Sequence, residues 1–214
     1  MIHTILDHAL RRGLYGFLKV CNASSLEKEV LDCGAGGRTP PLALFYEYGY
    51  KTHGIDISDR SLVAAQRFCQ EHKMPLNIFK GDMRYIPFGD KSLSFVYSIN
   101  TLEHHSKADI ALSMKEIERV LKPDGLCYVN FGSIDRPMPN IGREVRKGEW
   151  VWVRDDGTEI FHSYYEDTEP DGYFARFEII RKEKRIIDIP IDKIRRVNDW
   201  QYGDIGYIAR KQKI

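Results

Sequence analysis

Three aspartates stand about two dozen residues apart, each closing an apolar stretch: Asp32 in EVLDCGAGG, Asp56 in HGIDIS and Asp82 in KGDMRYIPF. A carboxylate at the last residue of a buried strand must be met by donors, and a turn alone does not call for one there. A ligand carrying positive charge would supply them. Just beyond Asp32, Gly34, Gly36 and Gly37 can take positive φ and leave no Cβ in the way. Backbone amides at the start of the next helix can then approach a ligand, the plain alternative being a tight strand-to-helix turn. Asp56 can accept hydrogen bonds from both hydroxyls of a ribose; its other role would be to cap the following helix, which Ser58 or Asp59 would do equally well. Asp82 can accept from an exocyclic amine, with Met83 and Ile86 offering apolar contact to a base. Taken singly, Asp82 is better explained by the Gly81-Asp82 turn. Three acids at three successive strand ends are more informative than any one, and together they describe a nucleoside ligand with a cationic or amino-bearing tail.

The elements that must position these groups are visible in the hydrophobic period. Strand-like stretches EVLDC, KTHGID, LNIFK, LSFVYSI and LCYVNF alternate with helical ones, from about Pro40 to Tyr48, Arg60 to His72 and Lys107 to Leu121. Ile110, Met114, Ile117 and Leu121 form a stripe on the last helix, which Lys122-Pro123-Asp124-Gly125 should stop. This alternation predicts a parallel sheet covered on both faces. Residues 3 to 21 predict an amphipathic N-terminal helix. Residues 133 to 149 read as loop and short helix. Asp156-Gly157 lies between two runs of β-branched and aromatic residues, which predicts a hairpin, and a short helix is expected from Thr168, with Pro170 near its first turn. FEIIRKEKRIIDI and GDIGYIARK should close the chain as an antiparallel pair.

VLDCGAGG, GIDIS and GDMRYIPF, followed by SFVYSINTLEHH and ERVLKPDG, closely resemble the class I S-adenosylmethionine-dependent methyltransferases, especially the type 11 small-molecule group. The resemblance covers residues 28 to 131. It implies a Rossmann-like fold with a seven-stranded, mostly parallel sheet in the order 3-2-1-4-5-7-6, the last strand antiparallel, with helices on both faces. It also implies S-adenosylmethionine as cofactor: Asp32 and the Gly34-Ala35-Gly36 backbone would hold its amino-acid end, Asp56 and the adjoining Ile57 its ribose side, and Asp82 with Met83 its adenine. Asn100 would line the pocket from the loop after the fourth strand. One departure is Arg38, where the family's loop usually has a further glycine, so the loop path there should differ locally. A nicotinamide dehydrogenase is disfavoured, because the third glycine of G-x-G-x-x-G would fall at Thr39.

Methyl transfer from a sulfonium is an in-line displacement, accelerated by alignment and exclusion of water. A base is needed only if the acceptor must lose a proton, and His104 and His105, directly after the fourth strand, are the candidates. Tandem histidines at such a junction are more often structural, and Glu103 has a weaker case. Residues 133 to 174, rich in aromatics including Trp150 and Trp152, are expected to cap the active site and bind a compact, partly apolar small-molecule acceptor. The alternative is that the two tryptophans cover the sheet edge. The 214 residues are expected to form one domain.

A net charge of +1 gives no reason to expect nucleic acid or an anionic membrane as partner. The chain also has SINT after the fourth strand, where many nucleic-acid methyltransferases carry an N/D-P-P-Y/F tetrapeptide. Cys21, Cys33, Cys69 and Cys127 are scattered, which argues against zinc or disulfides and for a reducing cytoplasm. No metal is expected, and no apolar run approaches a membrane span. A cofactor-binding sensor or partner subunit without catalysis would share the same motifs.

Overall fold

The apolar runs that alternate with helical stretches are the strands of a parallel sheet. β1 (Glu29–Cys33), β2 (Lys51–Asp56), β3 (Ile78–Lys80), β4 (Leu93–Ser98) and β5 (Leu121–Ser133) lie in the order β3-β2-β1-β4-β5, every neighbouring pair parallel. The computed structural model describes residues 12–135, 142–153, 157–189 and 200–213. Two long strands at the end of the chain, β9 (Phe177–Ile189) and β10 (Trp200–Lys211), extend the sheet beyond β5, with β10 antiparallel to both neighbours. These seven strands follow the order expected from the sequence.

Three further strands enlarge the sheet. β6 (Gly142–Arg146), β7 (Glu149–Val153) and β8 (Glu159–Tyr165) form an antiparallel meander, and β8 joins the end of β5 through Gly132↔Tyr164 and Ser133↔Tyr165. β7 and β8 are the predicted hairpin, although Asp156 of its turn lies outside the described residues. β6 corrects the reading of residues 133 to 149 as loop and short helix. GREVR has too little apolar alternation to announce a strand, and its partner β7 supplies the ladder; such charged sequences are typical of sheet edges.

Helices cover both faces. α1 (Arg12–Asn22), α2 (Leu42–Glu47) and α3 (Asp59–His72) bury Leu14, Phe17, Leu42, Phe45 and Phe68 in one cluster with Phe95, Tyr97 and Tyr128. α1 is the end of the predicted N-terminal helix, whose residues 3 to 11 lie outside the described part. On the opposite face α4 (Lys107–Val120) sets its predicted stripe of Ile110, Met114 and Ile117 among Val96, Cys127 and Val129. Each such side chain, fully buried, contributes about 1.5–3 kcal/mol. The stop at Lys122–Gly125 takes an unexpected form: β5 pairs at Leu121 with Leu93, then resumes at Leu126 opposite Phe95, so the four residues bulge out of the ladder. Pro123 has no N–H for that ladder, and Asp124 turns at φ 62. The helix expected from Thr168 is a 3-10 segment, Glu169–Phe174, with Pro170 in its first turn.

Candidate functional site

Parallel strands place their carboxyl ends together, so the three acids meet at one edge of the sheet. A cleft there is lined by Gly34, Ile55, Asp56, Ile57, Gly81, Asp82, Met83, Thr101 and His105. Five of the nine residues assigned from the sequence to the cofactor are on that wall, namely Gly34, Asp56, Ile57, Asp82 and Met83. Asp32, Ala35, Gly36 and Asn100 are not.

Asp56 organises the turn. Its Oδ2 accepts from the Gly36 N–H at 2.8 Å and its Oδ1 from the Ser58 N–H at 2.8 Å. A carboxylate offers about four acceptor sites, so roughly two remain for a ligand. The cap of α3 is supplied by Ser58, whose Oγ accepts from the Ser61 N–H, leaving Asp56 free of that task. Gly36 must lack a side chain, since a Cβ there would lie 2.4 Å from Asp56 Oδ2. Gly34 holds φ at +103°, and its missing Cβ would fall 2.1 Å from Thr101 Oγ1.

The loop amides, however, do not face outward as anticipated. Gly34 and Ala35 both donate to the Ile55 carbonyl, Gly36 to Asp56, and Gly37 to the Ser61 carbonyl. The turn therefore offers a ligand close approach to its Cα atoms rather than a nest of donors. Asp32 is fully enclosed at the end of β1, between Gly54 of β2 and Tyr97 of β4.

Asp82 is gripped by Arg84. Its carboxylate accepts from the Arg84 backbone N–H at 2.9 Å, from Nε at 3.0 and 3.1 Å and from Nη2 at 2.6 Å. Arg84 Nη1 reaches Asp109 at 3.0 Å, tying the end of β3 to the first turn of α4. An exocyclic amine would have to share an acceptor already in use, which weakens the adenine role expected for Asp82 and makes it chiefly an anchor of this loop. The Arg84 hydrogen bonds hold both Asp82 and Asp109 below the ordinary carboxylate range. A carboxylate whose pKa is depressed in the folded chain stabilises it fully above the unfolded value, near 3.9, and loses that contribution as pH falls through the depressed one. Arg84→Met should therefore flatten the acid limb of a melting-temperature profile below about pH 4; an acid limb as steep as in the parent chain would contradict the assignment.

The tandem histidines diverge. After the 3-10 turn Leu102–His104, His105 faces the cleft, and burial, with the Arg84 charge behind it, holds its ring below the ordinary imidazole range despite a contact to the Thr101 carbonyl. His105 is thus neutral near neutral pH. His104 turns away, its ring 4.9 Å from that of His162, which in turn lies 4.1 Å from the Trp152 ring. Trp152 packs where Gly142 leaves space, a Cβ there falling 2.4 Å from its Cδ1. Ser163 Oγ donates to the His105 carbonyl, and Glu149 accepts from the Lys107 N–H. The meander thereby grips the β4–α4 connection at several points.

Thr101, Ile55 and Gly81 were not anticipated in the wall. Gly81 and Ile55 stand beside residues singled out from the sequence, and the signal that could have found them is simply that adjacency. Among the described residues no group of three or more His, Cys, Asp or Glu is arranged to hold a metal, and no helix is long and apolar enough to cross a membrane.

An open sheet in this order, closed by an antiparallel strand and with its cleft at the ends of β1 to β4, is the fold of the class I S-adenosylmethionine-dependent methyltransferases. Residues 31–129, a little under half of the chain, match the Methyltransferase domain family, type 11. It is 28% identical over 121 residues to the uncharacterized methyltransferase YodH of Bacillus subtilis, covering 55% of this chain and 48% of that protein. It is also 28% identical over 139 residues to a demethylmenaquinone methyltransferase of Chlorobaculum parvum, covering 59% and 54%. The chain spans about half the length of the curated relatives it matches. A crystal structure of a SAM-dependent methyltransferase from Methanosarcina mazei superposes with TM-score 0.67 at 22% identity, over 92% of this chain and 98% of that one.

Proposed function

We propose that the chain transfers the methyl group of S-adenosylmethionine to a small molecule. The observation that carries this reading is Asp56: a carboxylate at the mouth of the cleft, fixed by two backbone amides and with acceptor capacity left for vicinal hydroxyls. In this reading Asp56 and Ile57 hold the ribose side, Met83 the base, and the Gly34–Gly36 turn with Asp32 beneath it the amino-acid end. When bound, the cofactor supplies an electrophilic methyl on a sulfonium, and the chain's residues orient it and keep water out. His105, neutral and on the cleft wall, is the group able to take a proton from an acceptor; His104, engaged with His162, is not placed for it.

The whole chain is read as one domain. Residues 133–174 would cap the acceptor side, a role supported by the contacts of β7 and β8 with the loop that carries the histidines. A small acceptor is favoured over nucleic acid by the balanced charge of +1. A demethylmenaquinone methyltransferase among the relatives makes demethylmenaquinone a sensible first acceptor to screen.

Titration calorimetry with S-adenosylmethionine tests the reading. Asp56→Ala should weaken binding by about 1–3 kcal/mol, roughly fivefold to 150-fold. Equal affinity in the variant would remove Asp56 from the site, and binding without turnover across an acceptor panel would favour a sensor.

A further inference from the structure

Behind the cofactor cleft, on the α1 face of the sheet, a chain of buried polar groups runs from β9 to the end of β4. Arg185 on β9 pairs with Asp204 on β10, donating through Nε at 2.9 Å and through Nη2. Asp204 accepts from Asn130 Nδ2 on β5 at 2.8 Å. The same Nδ2 donates to Asn100 Oδ1 at 2.7 Å, while Asn130 Oδ1 accepts from the Asn100 backbone N–H at 2.8 Å. Tyr202 of β10 completes the ring, its hydroxyl donating to Asn100 Oδ1 at 2.6 Å.

The amide orientations follow from this chemistry. Asn130 sits between an obligate donor, the Asn100 N–H, and an obligate acceptor, the Asp204 carboxylate, so its oxygen and nitrogen can be arranged in only one way. Its nitrogen and the Tyr202 hydroxyl then both require an oxygen from Asn100. Burial first, and then the charges of Glu103 and Asp204, keep the Tyr202 phenol protonated and hence a donor. Asn100 is held from three sides with its backbone at φ 53, a left-handed conformation that Asn tolerates but does not require. The next residue is Thr101, whose side chain fills the space over Gly34 and lines the cleft.

A buried ionic network is not the most stable way to fill such a space, since well-packed apolar side chains often do as well or better. What this one does is fix a conformation. Resting on the reading of the cleft as the cofactor site, we propose that Asn130 and Tyr202 are positioning residues: by clamping Asn100 they set the place of Thr101, and so the β4 wall against which S-adenosylmethionine binds.

The experiment measures S-adenosylmethionine affinity by calorimetry, and melting temperature, for the full chain and for Tyr202→Phe, Asn100→Gly and Asp56→Ala. Tyr202→Phe removes only the hydroxyl, which donates to Asn100 Oδ1 and accepts from Asn130 Nδ2 at 3.1 Å. Asn100→Gly keeps access to the left-handed backbone and the backbone bond to Asn130 but discards both side-chain bonds of the clamp. Each is expected to fold and to lose about threefold to tenfold in affinity, the equivalent of one or two hydrogen bonds. A purely structural role would lower the melting temperature and leave the affinity of the folded protein unchanged. If Asp56→Ala binds weakly while both clamp variants bind within twofold of the parent, the positioning role is overturned and the cofactor site stands. If the parent chain does not bind at all, both fall.

Discussion

Gly34→Ala is expected to destabilise the protein by about 2–6 kcal/mol, the sum of a left-handed φ imposed on an L-residue and of overpacking in a filled space. Both contributions are visible in the geometry. Gly34 holds φ at +103°, and an added Cβ would lie 2.1 Å from Thr101 Oγ1 and 2.6 Å from Thr101 Cγ2. Thr101 has little freedom to retreat, because its hydroxyl donates to the Ile99 carbonyl and the residue before it is clamped. The backbone cannot move easily either, since the Gly34 N–H is bonded to Ile55 across the β1–β2 boundary. Denaturant unfolding with the slope held common to both proteins measures the loss. A midpoint equal to that of the parent would show that the turn is looser than these contacts require.

Arg185→Met should cost about 3–5 kcal/mol, the penalty for leaving a buried charge without its partner. Asp204 has no exposed surface, and Arg185 shows only 10% of its side chain. Burial opposes the charge on Arg185, and the bonds to Asp204 outweigh that and hold the guanidinium above its ordinary range. Met matches the length of the aliphatic stem while deleting the charge, so the loss reports the unpaired carboxylate rather than a large cavity. Adding Asp204→Asn should recover part of the stability, because the neutral amide no longer demands a cation. Thermal unfolding of the single and double variants checks both statements, and an additive double variant would mean that the two groups are not coupled.

Much of the frame could be read in the sequence because it rests on local signals. Apolar runs, closed by Asp in β1 and β2, gave β1, β2 and β4 almost to the residue, and the stripe on α4 gave its buried face. The order of the strands came with the family resemblance. Elements and partners set by tertiary contact were not legible. GREVR becomes β6 only because β7 lies beside it. Arg84 is one charged residue among many until the fold brings Asp82 and Asp109 to it. His104 and His105 are equivalent in sequence, and only the 3-10 turn that ends at His104 sends one toward the cleft and the other toward His162. Asn100 was assigned to the pocket because it follows β4, yet its carbonyl oxygen is drawn inward by Asn130 and Tyr202, from strands far along the chain.

In the proposed function, the acids and glycines at the ends of β1 and β2 hold the nucleoside of an activated sulfur compound. A crystal structure of the chain saturated with S-adenosylhomocysteine tests it most directly. Density is expected in the cleft between Gly34 and Met83, with both ribose hydroxyls within hydrogen-bonding distance of Asp56. Density at another place on the molecule, or a ribose turned away from Asp56, would contradict it.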